Sequence, residues 1–500
     1  MRTRTFTVII LLAAVVRFAL LGAAWNHPQQ VRTPDTQDYI TLSDSLAGGS
    51  FERDGQSEIF RTPGYPFFLL LGAVFSGDNW WRFILILQVL IDVGLVYLTF
   101  LLATMACGDQ RAGLLAAAFQ ALSAVAVAAS TRVLSDSLFA AMLTLAVLLA
   151  LLHLKTLRLW PLLAAVLLSA ACYVRPVGQI YIAVFAAALL LHALRTWRAQ
   201  RSVALPAEAR TDAQVPPSSA AKRSLGVSGP GRPIAASALS LHPRPRLFVV
   251  SAIVFVCMSA GLLAPWVVRN AVLADYVGFS SFASDSVHFW AMPELLARQQ
   301  NIPPAAARDR VRELDRQQAM RSPEGRTPGQ AVRDRNAYTR EIIGSEPWTY
   351  ARLHLRGAGL FFLPGATDML EVAGLSEGNR GTSDVLRTEG VLAAAQHYFG
   401  DNAAAIALTV PMVLILALEY LGCLLWVVRR LRLSMPTEMW LLLALVVVTS
   451  LLSGPYGMPR YRTPIEPMLS VLAAAGWMAA KGSSKFAVRS STRTANTRVR

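Results

Sequence analysis

Residues 81–105 read WRFILILQVLIDVGLVYLTFLLATM, an apolar run with Arg82 at its start and only Gln88 and Asp92 strongly polar within it. At about 1.5 Å per residue such a run spans the roughly 30 Å hydrocarbon layer, for which about 20 apolar residues suffice. Trp80, Trp81 and Arg82 mark its interfacial end, because amphipathic rings settle at headgroup level. Working outward, further runs fall in Met1–Trp25 and near 112–130, 134–153, 160–174, 177–194, 247–268, 403–428, 438–453 and 465–480. The expected fold is an all-α polytopic membrane protein of about ten transmembrane helices, with both ends on one side. Composition agrees: of 500 residues, 54% are hydrophobic and 16% charged, at a mean hydropathy of +0.43. Average soluble chains carry about 25% charged residues.

The net charge of +16 raises nucleic acid as a partner, and its distribution excludes it. With the N-terminus inside, the short inner segments carry Arg2, Arg4, Arg111, Lys155, Arg158, Arg429, Arg430 and Arg432, followed by a basic tail from Lys481 to Arg500. This is the positive-inside pattern of a membrane protein. The basic, apolar start resembles a secretory signal, but Arg17 within it and the many later runs favour a retained anchor. Residues 198–245, rich in Pro, Ser and Ala, read as a disordered inner linker. The expected organisation is a transmembrane module over 1–268, a partly helical outer region over 269–402, transmembrane helices over 403–480 and a cytoplasmic tail over 481–500. The four cysteines have no paired spacing, and no disulfide framework or zinc site follows from them. No internal repeat and no GxGxxG nucleotide loop is present.

The first outer loop holds Thr33-Pro34-Asp35-Thr36-Gln37-Asp38-Tyr39, then Phe60-Arg61-Thr62-Pro63-Gly64-Tyr65-Pro66. Thr33 can cap a helix that Pro34 opens, since proline gives up an amide hydrogen that would be unpaired there. Tyr39, Leu42 and Leu46 recur at helical spacing, and Gly48-Gly49 ends the run. This predicts a short amphipathic helix on the outer face with Asp35 in its first turn, where negative charge is favoured. Phe67–Phe75 is apolar but too short to cross and is placed in the interface. Farther on, Thr327-Pro328-Gly329-Gln330 predicts a capping box opening a helix to about Gly344, and Glu346-Pro347-Trp348 a second helix start.

On this topology the polar residues at span ends fall on the outer side. They are Asp35 and Arg61, Asp136, Arg175, Arg269 with Asn270, and Arg460 with Arg462. One arginine at a membrane edge is ordinarily a headgroup anchor. Several arginines with two carboxylates on one face point instead to an anionic ligand, for which the planar guanidinium fork suits phosphate. Arg17 and Asp92 lie deeper, roughly 12–17 Å below the outer surface at 1.5 Å per residue. Charges at that depth need a partner, and these two are expected to pair.

The segments Thr33–Tyr39, Arg61–Pro66, Pro265–Asn270 and Arg460–Pro464 resemble the C-type, polyprenyl-phosphate-dependent membrane glycosyltransferases. The nearest patterns are bacterial relatives of protein O-mannosyltransferases and of the aminoarabinose lipid A transferase. The resemblance implies that Asp35 is the catalytic base, assisted by Asp136. It further implies donor-phosphate binding by Arg61, Arg175, Arg269, Arg460 and Arg462. Relatives carry two adjacent acids in the first loop, whereas Thr36 follows Asp35 here. That leaves open whether Asp38, one turn on, shares the role or binds a divalent metal. The implied partners are a polyprenyl-phosphate-linked sugar donor, an envelope lipid, glycan or protein acceptor, and membrane lipids. The implied location is the bacterial inner membrane, with the site on its periplasmic face.

The chemistry is coherent independently of the resemblance. Fixed cations that hold the charge of a departing phosphate can replace a general acid, and one carboxylate can take the proton of the attacking hydroxyl. A secondary transporter would place its ionisable groups at mid-membrane between inverted repeats, which this sequence lacks. The other alternative is a non-catalytic component of an envelope assembly.

Overall fold

The computed structural model describes residues 2–156, 160–204, 245–320, 325–375, 382, 385, 389–399, 402–430 and 435–480. Helices dominate, with one two-residue hairpin pairing β1 (Glu52–Arg53) and β2 (Gln56–Ser57). The basic tail and the linker from 205 to 244 lie outside the described residues. The first residues assigned to that linker belong to a helix that continues to Ala204.

The chain opens with α1 (Arg2–Ala23), the short helix α2 (Pro34–Ala47), α3 (Gly64–Ser76) and α4 (Trp80–Cys107). Residues 64–107 form a continuous apolar stretch, yet a Cβ on Gly72 would stand 2.6 Å from the Ile84 side chain. In one straight helix positions 72 and 84 would be about 18 Å apart. The chain therefore doubles back at Gly77–Asn79, and α3 packs on α4 as a short helix that does not cross.

Next come α5 (Gln110–Ala121) and α6 (Ala124–Ser130), expected from the sequence as one crossing but bent by 60°. The break has two causes. Ser123 starts a new helix by accepting the Ala126 amide through its side chain. The end of α5 is held by Arg17 of α1, which donates to the carbonyls of Gln120 (3.3 Å) and Ala121 (2.8 Å). A cation is favourable at that helix end, where carbonyls lack partners. The same arginine pairs with Asp92 of α4 at 2.5 Å, both side chains fully buried, as the depth argument expects. One turn above Asp92, Gln88 accepts from the Tyr65 hydroxyl and donates to the Arg132 carbonyl, each at 2.7 Å. Polar groups inside α4 thus fix the loop that follows α6.

The remaining apolar helices are α7 (Asp136–Thr156), α8 (Trp160–Val174), α9 (Gly178–Ala204) and α10 (Pro245–Ala274). Beyond α10 the region that the sequence reading assigns to the outer side is built of α11 (Phe282–Ser286), α12 (Met292–Gln300), α13 (Pro304–Met320), α14 (Pro328–Ser345) and α15 (Pro347–Leu360), then α16 (Thr367–Val372) and α17 (Val391–Phe399). The capping box forms as expected: Thr327 Oγ1 accepts from the Gln330 amide, and Gln330 Oε1 accepts from the Thr327 amide. The region has its own small core of Met292, Leu296, Ala297, Ala307 and Val311. The chain ends with α18 (Ala403–Arg430), α19 (Thr437–Leu452), a 3₁₀ segment Pro459–Ile465 and α20 (Glu466–Ala480).

The protein is an all-α polytopic membrane protein. Among the described residues six helices are long and apolar enough to cross a bilayer, or seven if the bent pair counts as one span. The count of about ten also took α8, α19 and α20 as crossings, and these are shorter helices of 15, 16 and 15 residues.

Candidate active site

Helix α2 is seated by its first two turns. The Thr33 amide donates to Thr36 Oγ1 at 2.8 Å, and Thr36 Oγ1 donates to the Val133 carbonyl at 3.0 Å. Tyr39, the first residue of the predicted apolar stripe, meets Ser135 through its hydroxyl at 3.1 Å. Both contacts fall on the loop 131–135 that leads to Asp136, so α2 is docked against the start of α7. Asp35 lands at the rim of that contact.

The second sequence motif brings Arg61 to the same place. Glu58 Oε1 accepts the amides of Phe60 and Arg61, which turns the chain ahead of α3. Ser280 Oγ donates to the Phe60 carbonyl at 2.7 Å and the Ser281 amide to that of Ile59 at 2.9 Å, so the outer region grips the loop from above. A Cβ on Gly64 would meet the Tyr173 backbone at 2.6 Å, so only glycine lets α3 start against the turn that carries Arg175. Arg61 then donates to Asp35 Oδ1 at 2.8 Å, to Asp38 Oδ2 at 3.1 Å and to the Tyr39 hydroxyl at 3.4 Å.

From the far end of the chain, Arg460 donates to Asp35 Oδ2 at 2.6 Å. Asp35 is thus held between two guanidiniums. Burial pushes its carboxyl up, but Arg460 and Arg61 together outweigh this and hold it well below the usual carboxylate range. Burial likewise disfavours the Arg460 cation, and Tyr461, Asp35, Asp136 and Asp368 around it more than compensate. Arg460 Nε is buried with no partner among the described residues. Asp136 opens α7 and pairs with Arg175, only 3% of its side chain exposed. Asp38 joins Arg61 to Arg53, which also holds Glu58.

Two arginines expected at the site are committed elsewhere. Arg269 stacks on Trp266 and donates to the Glu58 and Phe51 carbonyls, each at 2.6 Å, clamping both ends of the hairpin. Arg462 is 1% exposed, pairs with Glu466 and donates to the Phe361 and Leu363 carbonyls. Its guanidinium holds α15 and α20 together and faces away from Asp35's partners. The structure therefore gathers Asp35, Asp38, Asp136, Arg61, Arg175 and Arg460, and leaves Arg269 and Arg462 as packing residues.

It also adds residues that the sequence did not single out. Arg132, in the loop before Asp136, donates to Asp368 at 2.6 Å and pairs with Glu371, both on α16. Burial pushes the Asp368 carboxyl up, against the opposing pull of Arg132 and Arg460. The only sequence signal was the i, i+3 spacing of two acids, which any solvated helix shows. Among the described residues no group of three or more His, Cys, Asp and Glu side chains is placed to hold a metal ion.

Fold and site together define a polytopic membrane protein with a cluster of interlocked arginines and carboxylates beside its membrane helices. No family model and no curated protein matches the chain. Solved structures similar to it include the Archaeoglobus fulgidus oligosaccharyltransferase in complex with Zn and sulfate, at TM-score 0.47 and 14% identity over 96% of this chain and 50% of that one. The archaeal oligosaccharyltransferase AglB from the same organism, in complex with an inhibitory peptide and a dolichol-phosphate, gives 0.48 and 14% over 95% and 50%. ArnT from Cupriavidus metallidurans bound to undecaprenyl phosphate gives 0.36 and 15% over 95% and 78%. The chain spans about half the length of the oligosaccharyltransferase structures.

Proposed function

We propose that this chain is a membrane glycosyltransferase that moves a sugar from a polyprenyl-phosphate donor to a hydroxyl of an envelope lipid, glycan or protein, with inversion, at the outer face of the inner membrane. The observation that carries this is Arg460. Its Nη2 holds Asp35, its Nε is buried and unpartnered among the described residues, and Arg61 closes the other side of the same carboxylate. An arginine pair kept at full charge with donor capacity to spare suits a phosphate whose negative charge grows as its bond to the sugar breaks. Arg175, paired with Asp136 nearby, is the third expected phosphate ligand. A transporter reading has less support, since the deep pair Arg17–Asp92 is closed on itself and fully buried.

As the acceptor oxygen attacks the anomeric carbon, the carbon–phosphate oxygen bond breaks, polyprenyl phosphate leaves with the electron pair, and a carboxylate near Arg460 takes the hydroxyl proton. The sequence resemblance puts that duty on Asp35, with Asp136 assisting and Asp38 as its alternative. The test is direct. Purified protein supplied with sugar-loaded polyprenyl phosphate and envelope extract is expected to release free polyprenyl phosphate, measured by mass spectrometry, and Arg460→Ala to lose that release. Equal release by Arg460→Ala and wild type removes the proposal.

A further inference from the structure

Inverting displacement sets a geometric condition on the base. The nucleophile enters opposite the leaving group, so its proton acceptor stands across the anomeric carbon from the cations that hold the phosphate. Asp35 does not meet it. Both of its oxygens lie on Arg61 and Arg460, the two arginines assigned to the departing phosphate. Asp38 has one oxygen on Arg53 and the other on Arg61. Asp136 is bound to Arg175 and almost sealed from solvent.

Asp368 differs in keeping one carboxylate oxygen free among the described residues while staying open to solvent. It is supplied by α16 of the outer region, not by α2 or the membrane helices. Arg132 donates to its Oδ1 and fixes it to the loop that leads to Asp136, while Oδ2 has no partner among the described residues. Its side chain is 30% exposed, so a substrate hydroxyl can reach it. The loop that holds it is the one on which Thr36 and Tyr39 of α2 dock, at Val133 and Ser135, which brings it to the same site.

We infer that Asp368 is the catalytic residue that accepts the acceptor's proton, and that Asp35 is a positioning residue that aims Arg61 and Arg460 at the donor phosphate. This rests on the transferase reading. In the step, the acceptor oxygen bonds to the anomeric carbon as the carbon–phosphate oxygen bond breaks; the electron pair leaves on polyprenyl phosphate, and the proton moves to Asp368 Oδ2. The electrostatics agree in direction. A base works best when its proton affinity approaches the operating pH, and burial raises that of Asp368 while the two arginines lower that of Asp35.

The test measures release of polyprenyl phosphate by the full-length protein against pH and donor concentration. Asp368→Asn is expected to lower kcat by about 100- to 10,000-fold with little change in donor KM, and to erase the acid limb of the pH–rate profile. Asp35→Asn is expected to raise donor KM and to keep that limb. Two further variants separate chemistry from folding. Glu371→Gln loosens the same contact with Arg132 and is expected to keep turnover, and Asp368→Glu is expected to keep the acid limb at a shifted pH. Wild-type-like turnover by Asp368→Asn in a preparation whose wild type is active overturns the assignment of Asp368 alone. So does loss of the acid limb in Asp35→Asn but not in Asp368→Asn. No release by the wild type overturns both this inference and the transferase reading.

Discussion

The Arg17–Asp92 pair gives a prediction whose size follows from its contacts. Both side chains are fully buried and 2.5 Å apart. Arg17 also donates to the carbonyls of Ala13, Ala121 and Gln120, whereas Asp92 Oδ1 has no partner among the described residues. Removing one member of a buried pair costs about 3–5 kcal/mol, because the other charge is left uncompensated. Asp92→Leu belongs at the lower end, since the carbonyls still solvate the guanidinium, each such bond to a charged donor contributing about 1.5–3 kcal/mol. Arg17→Leu belongs at the upper end, since it leaves the buried Asp92 carboxylate with no counter-charge. Replacing both by Leu removes both charges, and such exchanges are often neutral or stabilising by about 1–4 kcal/mol. The double variant is thus expected to be more stable than either single one. Exchanging the charges is not expected to rescue, because an aspartate at 17 would face the Gln120 and Ala121 carbonyls. Thermal unfolding of the four purified proteins in one detergent measures this. Additive losses, with the double variant the least stable, would refute the argument.

Three further outcomes are expected. His288 bonds Thr339 at 2.9 Å, and burial, reinforced by Arg335 against the pull of Asp315 and Asp285, lowers its pKa from 6.5 to about 4. Its neutral form belongs to the fold, so stability of the outer region should fall as pH drops from 6.5 toward 4. Hydrogen exchange should show that slope flattened in His288→Gln, and an unchanged slope removes His288 as its cause. Gly64→Ala should displace α3 from the Tyr173 backbone, where an added Cβ has 2.6 Å, and lower transfer without unfolding the protein; full activity would show the close approach to be dispensable. The orientation predicts that cysteines at Ser218 and Ser491 are shielded from an impermeant outer reagent while one at the exposed Ala306 is labelled. Labelling at Ser218 in intact cells reverses the topology.

Local rules settled several features before any packing was known. The Thr33-Pro34 start, the Tyr39–Leu42 stripe and the Thr327–Gln330 capping box are helix signals read from neighbours in sequence, and each forms as expected. The Arg17–Asp92 pairing was equally legible, because a charge at membrane depth requires a partner and few were available. Other features depended on contacts no local pattern encodes. The break between α5 and α6 is held by an arginine more than 100 residues earlier in the chain. Arg132 meets Asp368 across 236 residues, so neither announces the other. Arg460 and Arg462 look equivalent in sequence, but they sit two apart in a 3₁₀ segment, Pro459–Ile465. At about three residues per turn they point in different directions, one to Asp35 and the other to Glu466. Sequence named the arginines because their chemistry is intrinsic to the residue type, and only the packing of distant helices decided which of them face the site.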